Sequence, residues 1–354
     1  MLKKFIALLT SAILVTSMAP SVIAMADTNQ KSKSEVFFDD FNGNSLDTNK
    51  WLIANKAWGG QNGGVVKENV SVSNGTLKLE GHGLNYTGNV KGTGKYGDSG
   101  KLVGAAVATR DYYASGSYEV VAKIAPNLGA CSAMWTFEYE EYYEGDEGYI
   151  PELAMDHCTV VNHEIDIEIP TAVNSHSTEN FHSARFNTWT YENVYTPHFM
   201  DVGVDLDDGN FHTYRFDWHT GDASETARVE FYIDNQLLYT CYKTIPTNAG
   251  RFWIGVWFPF ANDTDGDKKP DTGWAGRADF DTTVFEIDSV KITPYNEAGD
   301  TAQKETYGYD GWAPNSFPEL AELENFEHIV NGDFSKGSNS WTLSGAASSL
   351  YITL

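Results

Sequence analysis

The sequence predicts an all-β fold, an antiparallel sandwich of two sheets. Short runs rich in Val, Tyr, Phe and Thr recur along the chain, and Gly, Asn and Asp separate them. No long stretch shows the 3.6-residue periodicity of a helix. Many short strands at this spacing are typical of a sandwich, and the 354 residues are ample for one large β domain and an accessory segment.

The strand-like runs follow one another between residues 36 and 295. In order they are FFDDFNGNSLDTNKW (37–51), NVSVSNGTLKLEG (69–81), GSYEVVAKIAP (116–126), SAMWTF (132–137), NFHSARFNTWTY (180–191), FHTYRFDWHT (211–220), ARVEFYIDNQLLYTCYK (227–243), RFWIGVWFPF (251–260) and TVFEIDSVKITPY (283–295). Two runs contain hairpin signals, Asn74-Gly75 and Asp234-Asn235, because such pairs accept the positive φ of tight turns.

The two ends of the chain differ from this central part. Residues 1–26 combine Lys3 and Lys4, an apolar run and a small-residue cleavage site, which predicts a secretory signal peptide. We expect a flexible N-terminus at 27–35 and an acidic linker at 296–325. Residues 326–354 resemble the opening strands of sugar-binding jelly-roll modules, although they are too few to build one. The expected protein is therefore secreted, either extracellular or at the cell surface.

The charge of the chain excludes some classes of partner. The formal charge is −25, and removing the signal peptide takes away two lysines and no acids. Nucleic acids and anionic membranes both require clustered Lys and Arg. We therefore expect no nucleic acid and, after signal removal, no membrane partner. A neutral or water-soluble partner fits this composition better, and we expect a monomer.

An alternation of acids and isoleucines in VNHEIDIEIP (161–170) is the most informative pattern in the chain. In a strand it places Glu164, Asp166 and Glu168 on one face and the isoleucines on the other. Like charges side by side destabilise a sheet, so solvation alone explains three successive acids poorly. Cleavage of a glycosidic bond with retention uses two carboxyl groups about 5–5.5 Å apart, and a third acid would raise the pKa of its neighbours.

The segment HEIDIEI resembles the E-x-D-x-E signature of glycoside hydrolase family sixteen. SAMWTF precedes it, and FHTYRFDW, VEFYIDNQLLY and FEIDSVKI follow it, in the order in which the family has similar strands. FFDDFNGNSLDTNKW resembles the family's N-terminal entry. The resemblance covers residues 36–295, which we expect to form the catalytic domain.

The resemblance implies a two-sheet jelly roll with a concave substrate cleft and a retaining double displacement that uses no cofactor for catalysis. Glu164 would be the nucleophile, Glu168 the acid/base and Asp166 the residue that tunes them. A single residue separates Asp166 from Glu168, so the strand would lack the β-bulge common in laminarinases.

Several residues are candidates for binding the sugar chain. Alternation in RFWIGVWFPF places Trp253 and Trp257 on one face and Phe252, Ile254 and Val256 on the other. The family resemblance adds Trp135, Asn187 and Trp189 as cleft residues. Trp58, in a Gly-rich loop, is a candidate at the rim of the cleft. His163 and His212 are expected to be structural.

A structural calcium ion is predicted at two places, neither of them catalytic. The loop NDTDGDKKPD (262–271) has alternating acids and a Gly, as short calcium loops do, and its candidate ligands are Asp263, Asp265, Asp267 and Asp271. A solvated turn is the alternative. The resemblance also implies a site at Asp288, with Asp39 or Asp40 nearby.

Some features remain open at the level of sequence. The acidic stretch EYEEYYEGDEGYIPELAMDH (138–157) is either a solvated loop or a wall at one end of the cleft. Cys131 and Cys158 flank it, and their pairing is undecided. The substrate is either a β-1,3-1,4-glucan or a β-galactoside-containing glycan. The alternatives to a hydrolase are a non-catalytic lectin-like sandwich, which would lack one of the three acids, and a transglycosylase.

Overall fold

The computed structural model describes residues 32–56, 63–92, 101–155, 158–174, 177–259 and 273–304. In chain order its strands are β1 (Phe37–Asp39), β2 (Trp51–Ile53), β3 (Gly64–Val65), β4 (Val70–Ser73), β5 (Thr76–His82), β6 (Val103–Thr109), β7 (Gly116–Lys123), β8 (Cys131–Tyr143), β9 (Ala154–Met155), β10 (Cys158–Ile169), β11 (Ser183–Tyr191), β12 (Val194–Asp201), β13 (His212–His219), β14 (Arg228–Ile233), β15 (Gln236–Cys241), β16 (Arg251–Trp257) and β17 (Thr282–Pro294). Within the described ranges, the helical segments are the 3₁₀ turns Lys67–Asn69 and Pro151–Leu153, and neither is long enough to span a bilayer.

The strands form two antiparallel sheets, so the predicted all-β jelly-roll sandwich is confirmed. The front sheet has the order β2-β6-β16-β8-β10-β11-β12, with β9 paired to the start of β10. The back sheet has the order β4-β5-β17-β7-β13-β14-β15, and β1 pairs with the end of β17. A pairing of β5 with β6 connects the sheets along one edge, and β3 runs parallel to β6.

The core lies between the two sheets and is rich in aromatic rings. Tyr118 of β7 stacks on Phe216 of β13 at 4.7 Å between ring centroids, and it meets Phe252 of the front sheet at 5.4 Å. Phe186 and Phe231 stack across the two sheets at 4.7 Å. Burial of these rings is a large part of the hydrophobic free energy that holds the sheets together.

The two predicted hairpin turns are confirmed. Asn74 and Gly75 connect β4 to β5 with φ of 57° and 77°. Asp234 and Asn235 connect β14 to β15 with φ of 50° and 63°. Two consecutive residues with positive φ match the right-handed twist of the flanking strands, which is why these pairs occur there.

The chain continues to pack after β17, where the sequence predicted a linker from residue 296. Asp300 accepts hydrogen bonds from Ser115 Oγ at 2.8 Å and from Thr220 Oγ1 at 2.7 Å. Thr301 bridges to Asn248, and its N–H donates to Thr247 O at 3.0 Å. Residues 296–304 are therefore part of the folded unit, because polar residues that look solvated in sequence find partners on the back sheet and the 247–250 segment.

The possible disulfide between Cys131 and Cys158 does not form. Cys158 is paired with Tyr143 at one end of the β8–β10 ladder, whereas Cys131 begins β8 at the other end. At about 3.3 Å per residue the two cysteines are on the order of 40 Å apart along the strands, far beyond the reach of a disulfide. Both thiols and that of Cys241, all in described residues, are buried and reduced.

Some predicted segments lie outside the described residues and stay predictions. They are the signal peptide (1–26), most of the flexible N-terminus (27–35), the linker from residue 305 onward and the C-terminal module (326–354). Within the predicted flexible N-terminus, Lys33 is described: its N–H donates to Tyr112 O at 2.8 Å.

Truncation of a core ring should lower stability far more than truncation of a surface ring. Phe216→Ala removes a ring that is 1% exposed and that packs against both sheets. We expect the free energy of unfolding, measured by denaturant titration, to fall by about 3–5 kcal/mol. Phe211→Ala, five residues earlier and 38% exposed, is the control and should cost about 1 kcal/mol or less. Equal losses would contradict the assignment of the core.

Candidate active site

Strand β10 separates apolar and acidic side chains onto its two faces, as predicted. Ile165, Ile167 and Ile169 are at most 1% exposed in the core between the sheets. The three acids lie on the other, outer face of the front sheet. Asp166 and Glu168 are buried there, and Glu164 is partly exposed. The strand is regular against β8 over its whole length and against β11 from Glu164 to Glu168, so it has no bulge at the acids.

Cross-strand pairing surrounds the acids with side chains from β8 and β11. Three rows cross the outer face: Phe137, Glu164 and Trp189; Trp135, Asp166 and Asn187; and Ala133, Glu168 and Arg185. The predicted residues Trp135, Asn187 and Trp189 are therefore immediate neighbours of the acids.

Each acid receives a hydrogen bond from a nitrogen donor. Asn162 Nδ2 donates to Glu164 Oε2 at 2.8 Å. Trp189 Nε1 donates to Asp166 Oδ2 at 2.9 Å, and Asn187 Nδ2 donates to Glu168 Oε2 at 2.9 Å. Asn187 and Trp189 thus orient carboxyl groups, whereas the sequence had indicated them only as contacts to a sugar.

Arg185 is a site residue that the sequence interpretation missed. Its Nε lies 3.4 Å from Glu168 Oε2 and donates to Asn187 Oδ1 at 3.1 Å. The guanidinium carbon is 5.1 Å from the ring centre of Trp274 and 5.4 Å from that of Phe199, so the cation lies against two aromatic rings. Alternation in ARFNTW would have placed Arg185 on the acidic face, but its partners come from three other segments.

The pKa values of all three acids are raised by burial. Burial raises the pKa of Glu168 to about 8, although the Arg185 guanidinium acts in the opposite direction. Burial raises the pKa of Asp166 to about 6, although hydrogen bonds from Glu164 and Trp189 favour its carboxylate form. Burial, and then the charge of Asp166, raises the pKa of Glu164 well above its usual range. The face thus carries neutral and ionised carboxyl groups side by side near neutral pH, which is the requirement for combined acid and base chemistry.

Two tryptophans form a floor beside the acids. Trp135 and Trp253 stack at 5.5 Å between centroids and 17° between planes, and they are only 5% and 7% exposed. Gly255 makes room for this packing, since a Cβ there would lie 3.2 Å from the Trp135 ring. Both rings are on the predicted face, but they pack against each other, so neither presents an open ring face to a ligand in this structure.

The more accessible aromatic rings lie around this floor. Trp257 is half-buried, and its ring is nearly perpendicular to that of Trp274 at 5.8 Å. Tyr195 of β12 is 45% exposed and stacks on Trp189 at 4.0 Å, and Phe199 on the same strand is 37% exposed. Strand β12 was not predicted, because its alternation of polar and apolar residues begins only after the predicted strand-like run 180–191.

The acidic segment 138–157 is a strand extension in its first part, and the solvated-loop alternative is wrong there. β8 continues to Tyr143, with Glu138 and Glu140 at 0% and 2% exposure on the side away from the outer face. Asn248 Nδ2 donates to Glu140 Oε1 at 2.7 Å, and the N–H of Lys304 donates to Glu138 Oε1 at 2.9 Å. Donors more than 100 residues away in sequence satisfy these carboxylates.

The two predicted structural histidines have hydrogen-bond partners. His163 points away from the acids, and its Nδ1 accepts the N–H of Asn248 at 3.0 Å. Burial lowers the pKa of His163 to about 4, so this ring is neutral. His212 bonds to Asp234 at 2.7 Å and to Asp208 at 3.2 Å on the back sheet.

The calcium predictions are not tested by the described residues alone. Asp39 Oδ2 already accepts a hydrogen bond from Trp51 Nε1 at 2.8 Å, and Asp288 is exposed on β17. No cluster of three or more His, Cys, Asp or Glu is placed to hold a metal ion within the described ranges. The other calcium candidates, Asp263, Asp265, Asp267 and Asp271, lie outside those ranges, as does Trp58, the candidate at the rim of the cleft.

Comparisons with known proteins agree on one family. The family model described as "Beta-porphyranase A-D, GH16 domain" matches residues 32–289, which is well over half of the chain. A beta-glucanase of Bacillus subtilis is 29% identical over 69% of this chain and 84% of its own. A beta-porphyranase D of Zobellia galactanivorans is 39% identical, but over only 25% of this chain and 21% of its own.

A solved structure supports the same fold. The beta-glucanase of Bacillus licheniformis superposes with a TM-score of 0.51 and 21% identity, covering 74% of this chain and 99% of that one. At this identity the likeness concerns the fold alone.

The raised pKa of Glu168 should appear in the pH dependence of stability. A carboxyl whose pKa rises from the ordinary 4.5 to about 8 on folding binds more protons in the folded state, so its contribution to stability falls as the pH rises through that window. Glu168→Gln cannot titrate. We therefore expect the variant to gain stability relative to the natural protein between pH 5 and pH 8, by at most about 1.4 kcal/mol per pH unit in denaturant titrations. A difference that stays constant with pH would contradict the raised pKa.

Proposed function

Because the chain belongs to glycoside hydrolase family sixteen, we propose that it is an endo-acting, retaining β-glycosidase that hydrolyses internal bonds of a polysaccharide or complex glycan. One observation carries the proposal: three carboxyl groups with raised pKa values share the outer face of one strand, each with its own nitrogen donor. A lectin-like sandwich that only binds sugar has no use for this arrangement.

In the first step Glu164 acts as the nucleophile. Its carboxylate oxygen forms a bond to the anomeric carbon while the bond from that carbon to the leaving oxygen breaks. Glu168, which is neutral below pH 8, gives its proton to the leaving oxygen. In the second step the Glu168 carboxylate takes a proton from water, and the water oxygen displaces Glu164 from the anomeric carbon.

Asp166 resolves a conflict in this scheme. A nucleophile has to be ionised, yet burial favours a protonated Glu164. Glu164 is hydrogen-bonded to Asp166, so its proton can pass along that bond and leave the carboxylate on Glu164. The positive charge that develops on the sugar in the transition state favours the same distribution.

The comparisons and the exposed aromatic rings of the outer face support a proposal for the substrate class. The family description names porphyranases, and a beta-glucanase matches over 69% of this chain. We propose a β-galactoside-containing glycan first and a β-1,3-1,4-glucan second. A chain crossing this face would meet the exposed rings of Tyr195 and Phe199 rather than the buried pair Trp135 and Trp253. The predicted signal peptide at residues 1–26 supports action outside the cell.

Substitutions of the two glutamates should have different consequences. Glu164→Gln removes the nucleophile, and we expect kcat to fall by about 10⁴-fold or more while oligosaccharide binding persists. Glu168→Ala should lower kcat by about 10²–10⁴-fold, and azide should restore part of it, because this anion attacks the anomeric carbon and displaces Glu164 without needing a general base. Turnover is measured as reducing ends, or as glycosyl azide where azide is added, and binding by calorimetry.

Glu286→Gln is the matched control, because Glu286 lies on the back sheet and pairs with Lys123 at 3.2 Å. This variant should keep full activity. Full activity of Glu164→Gln would refute the assignment of the nucleophile.

A panel of purified glycans decides the substrate. Porphyran, agar, carrageenan, keratan-type and mucin glycans and β-1,3-1,4-glucan are incubated with the enzyme, and product masses are read. Cleavage of galactose-containing chains into short oligomers is the expected result. Activity on β-glucan alone would establish the second candidate, and products longer than the substrate would indicate transglycosylation. Release of single sugars from chain ends would contradict endo action.

A further inference from the structure

Asn162 is a buried asparagine directly beside the candidate nucleophile. It precedes Glu164 by two residues on β10, lies on the same face and is 3% exposed. Its Nδ2 donates to Glu164 Oε2 at 2.8 Å and to Glu192 Oε2 at 3.2 Å. One amide nitrogen therefore connects two carboxyl groups.

Glu192 determines which end of the amide faces Glu164. It lies in the turn after β11, and its backbone N–H donates to Val160 O at 3.1 Å, which holds this turn against β10. An ionised carboxylate only accepts hydrogen bonds, so an asparagine between two carboxylates presents its nitrogen to both. The amide is thereby prevented from turning its oxygen toward Glu164.

The other end of the same amide shows that the residue is not optimised for packing. Asn162 Oδ1 is buried and has no hydrogen-bond partner in the described part of the chain. An unpaired buried carbonyl opposes folding, and here it accompanies an Nδ2 that donates to two carboxyl groups. The amide is therefore kept in this position for its hydrogen bonds to Glu164 and Glu192.

Resting on the proposed function, we propose that Asn162, held in place by Glu192, is a positioning residue that keeps Glu164 oriented and ionised for attack on the sugar. The hydrogen bond from Nδ2 stabilises the carboxylate form of Glu164 and opposes both its burial and the charge of Asp166. The hydrogen bond also restricts rotation about the side-chain bonds of Glu164, so the attacking carboxylate oxygen keeps its direction.

Other charged or titratable groups surround Glu164. They are Asp166 on β10, Glu192 after β11, Tyr139 and Glu141 on β8, and Arg251 on β16. Tyr139 donates its hydroxyl to Glu141, and Arg251 donates to Thr109 O and to Tyr112, so these side chains are engaged with other partners. Among these described side chains, Asn162 is therefore the one that donates a hydrogen bond to the carboxylate of Glu164.

Two substitutions test the role of the amide. Asn162→Leu keeps the size and removes the donor, and Asn162→Asp keeps the shape and adds a negative charge. Loss of one hydrogen bond to a charged group should lower kcat/KM by about 10- to 100-fold. Because the pKa of Glu164 rises when its carboxylate loses this donor, the acidic limb of the kcat/KM profile should move to higher pH in Asn162→Leu and further in Asn162→Asp.

Asn69→Leu is the matched control. Asn69 is also buried, at 2% exposure, but its amide donates to the carbonyls of Val103 and Gly104 at 3.3 Å, away from the acids. This variant should lose stability in denaturant titrations without moving the acidic limb. A fall in kcat/KM of Asn162→Leu with an unmoved limb would show that the residue is only structural and would overturn the proposal, as would unchanged kinetics.

A substrate-free measurement separates this inference from the proposed function. If the natural protein turns over no glycan, the proposed function has failed, and the protonation of Glu164 is followed instead by infrared difference spectra against Glu164→Gln. The carboxylic-acid band of Glu164 should persist to higher pH in Asn162→Leu than in the natural protein. Identical titrations would overturn the role of Asn162 irrespective of the reaction.

Discussion

The active site depends on three neighbouring carboxyl groups along a single strand, two of them buried and one partly exposed. Side by side in a sheet, Glu164, Asp166 and Glu168 repel one another, and their removal from water adds a further cost. Two features make this arrangement tolerable: each carboxyl accepts a hydrogen bond from a nitrogen donor, and the raised pKa values leave part of the trio neutral. As a result, some of the neighbouring carboxyl groups are protonated while others are ionised, which lowers the repulsion between them.

The same strand supplies both the rigidity and the chemistry. Its isoleucines are buried against rings of both sheets, so β10 cannot shift by one residue without exchanging its core face for its acidic face. The regular register against β8 and β11 then fixes which donor meets which acid. The alternation of isoleucines and acids along β10 therefore contributes to the stability of the sandwich and also determines the geometry of the acids.

Local periodicity predicted the parts of the molecule that depend on it. The acids and isoleucines of β10, the opposite faces of Trp253 and Phe252, and the positive φ of Asn74-Gly75 all follow from residues close in sequence. The family resemblance also indicated Trp135 as a cleft residue, but it could not show that Trp253 would stack on its ring.

The features that the sequence did not predict depend on distant partners. Arg185 becomes part of the site through rings on β12 and at Trp274, and Glu138 is buried because Asn248 and the backbone of Lys304 reach it. Such contacts depend on the three-dimensional arrangement of segments rather than on any local pattern. The alternation along β10 also places Asn162 on the acidic face. Its neutral side chain, next to three acids, gave no indication of a role in the site.

The division of protons among the three acids can be measured directly in the substrate-free protein. Carbon-13 NMR of protein labelled at the side-chain carboxyl groups of Glu and Asp, with signals assigned from Glu164→Gln, Asp166→Asn and Glu168→Gln, reports the protonation of each group through a pH titration. We expect Glu168 to be still largely protonated at pH 7 and to titrate near pH 8, and Asp166 to titrate near pH 6. Three titrations near the ordinary values of about 4 would contradict it.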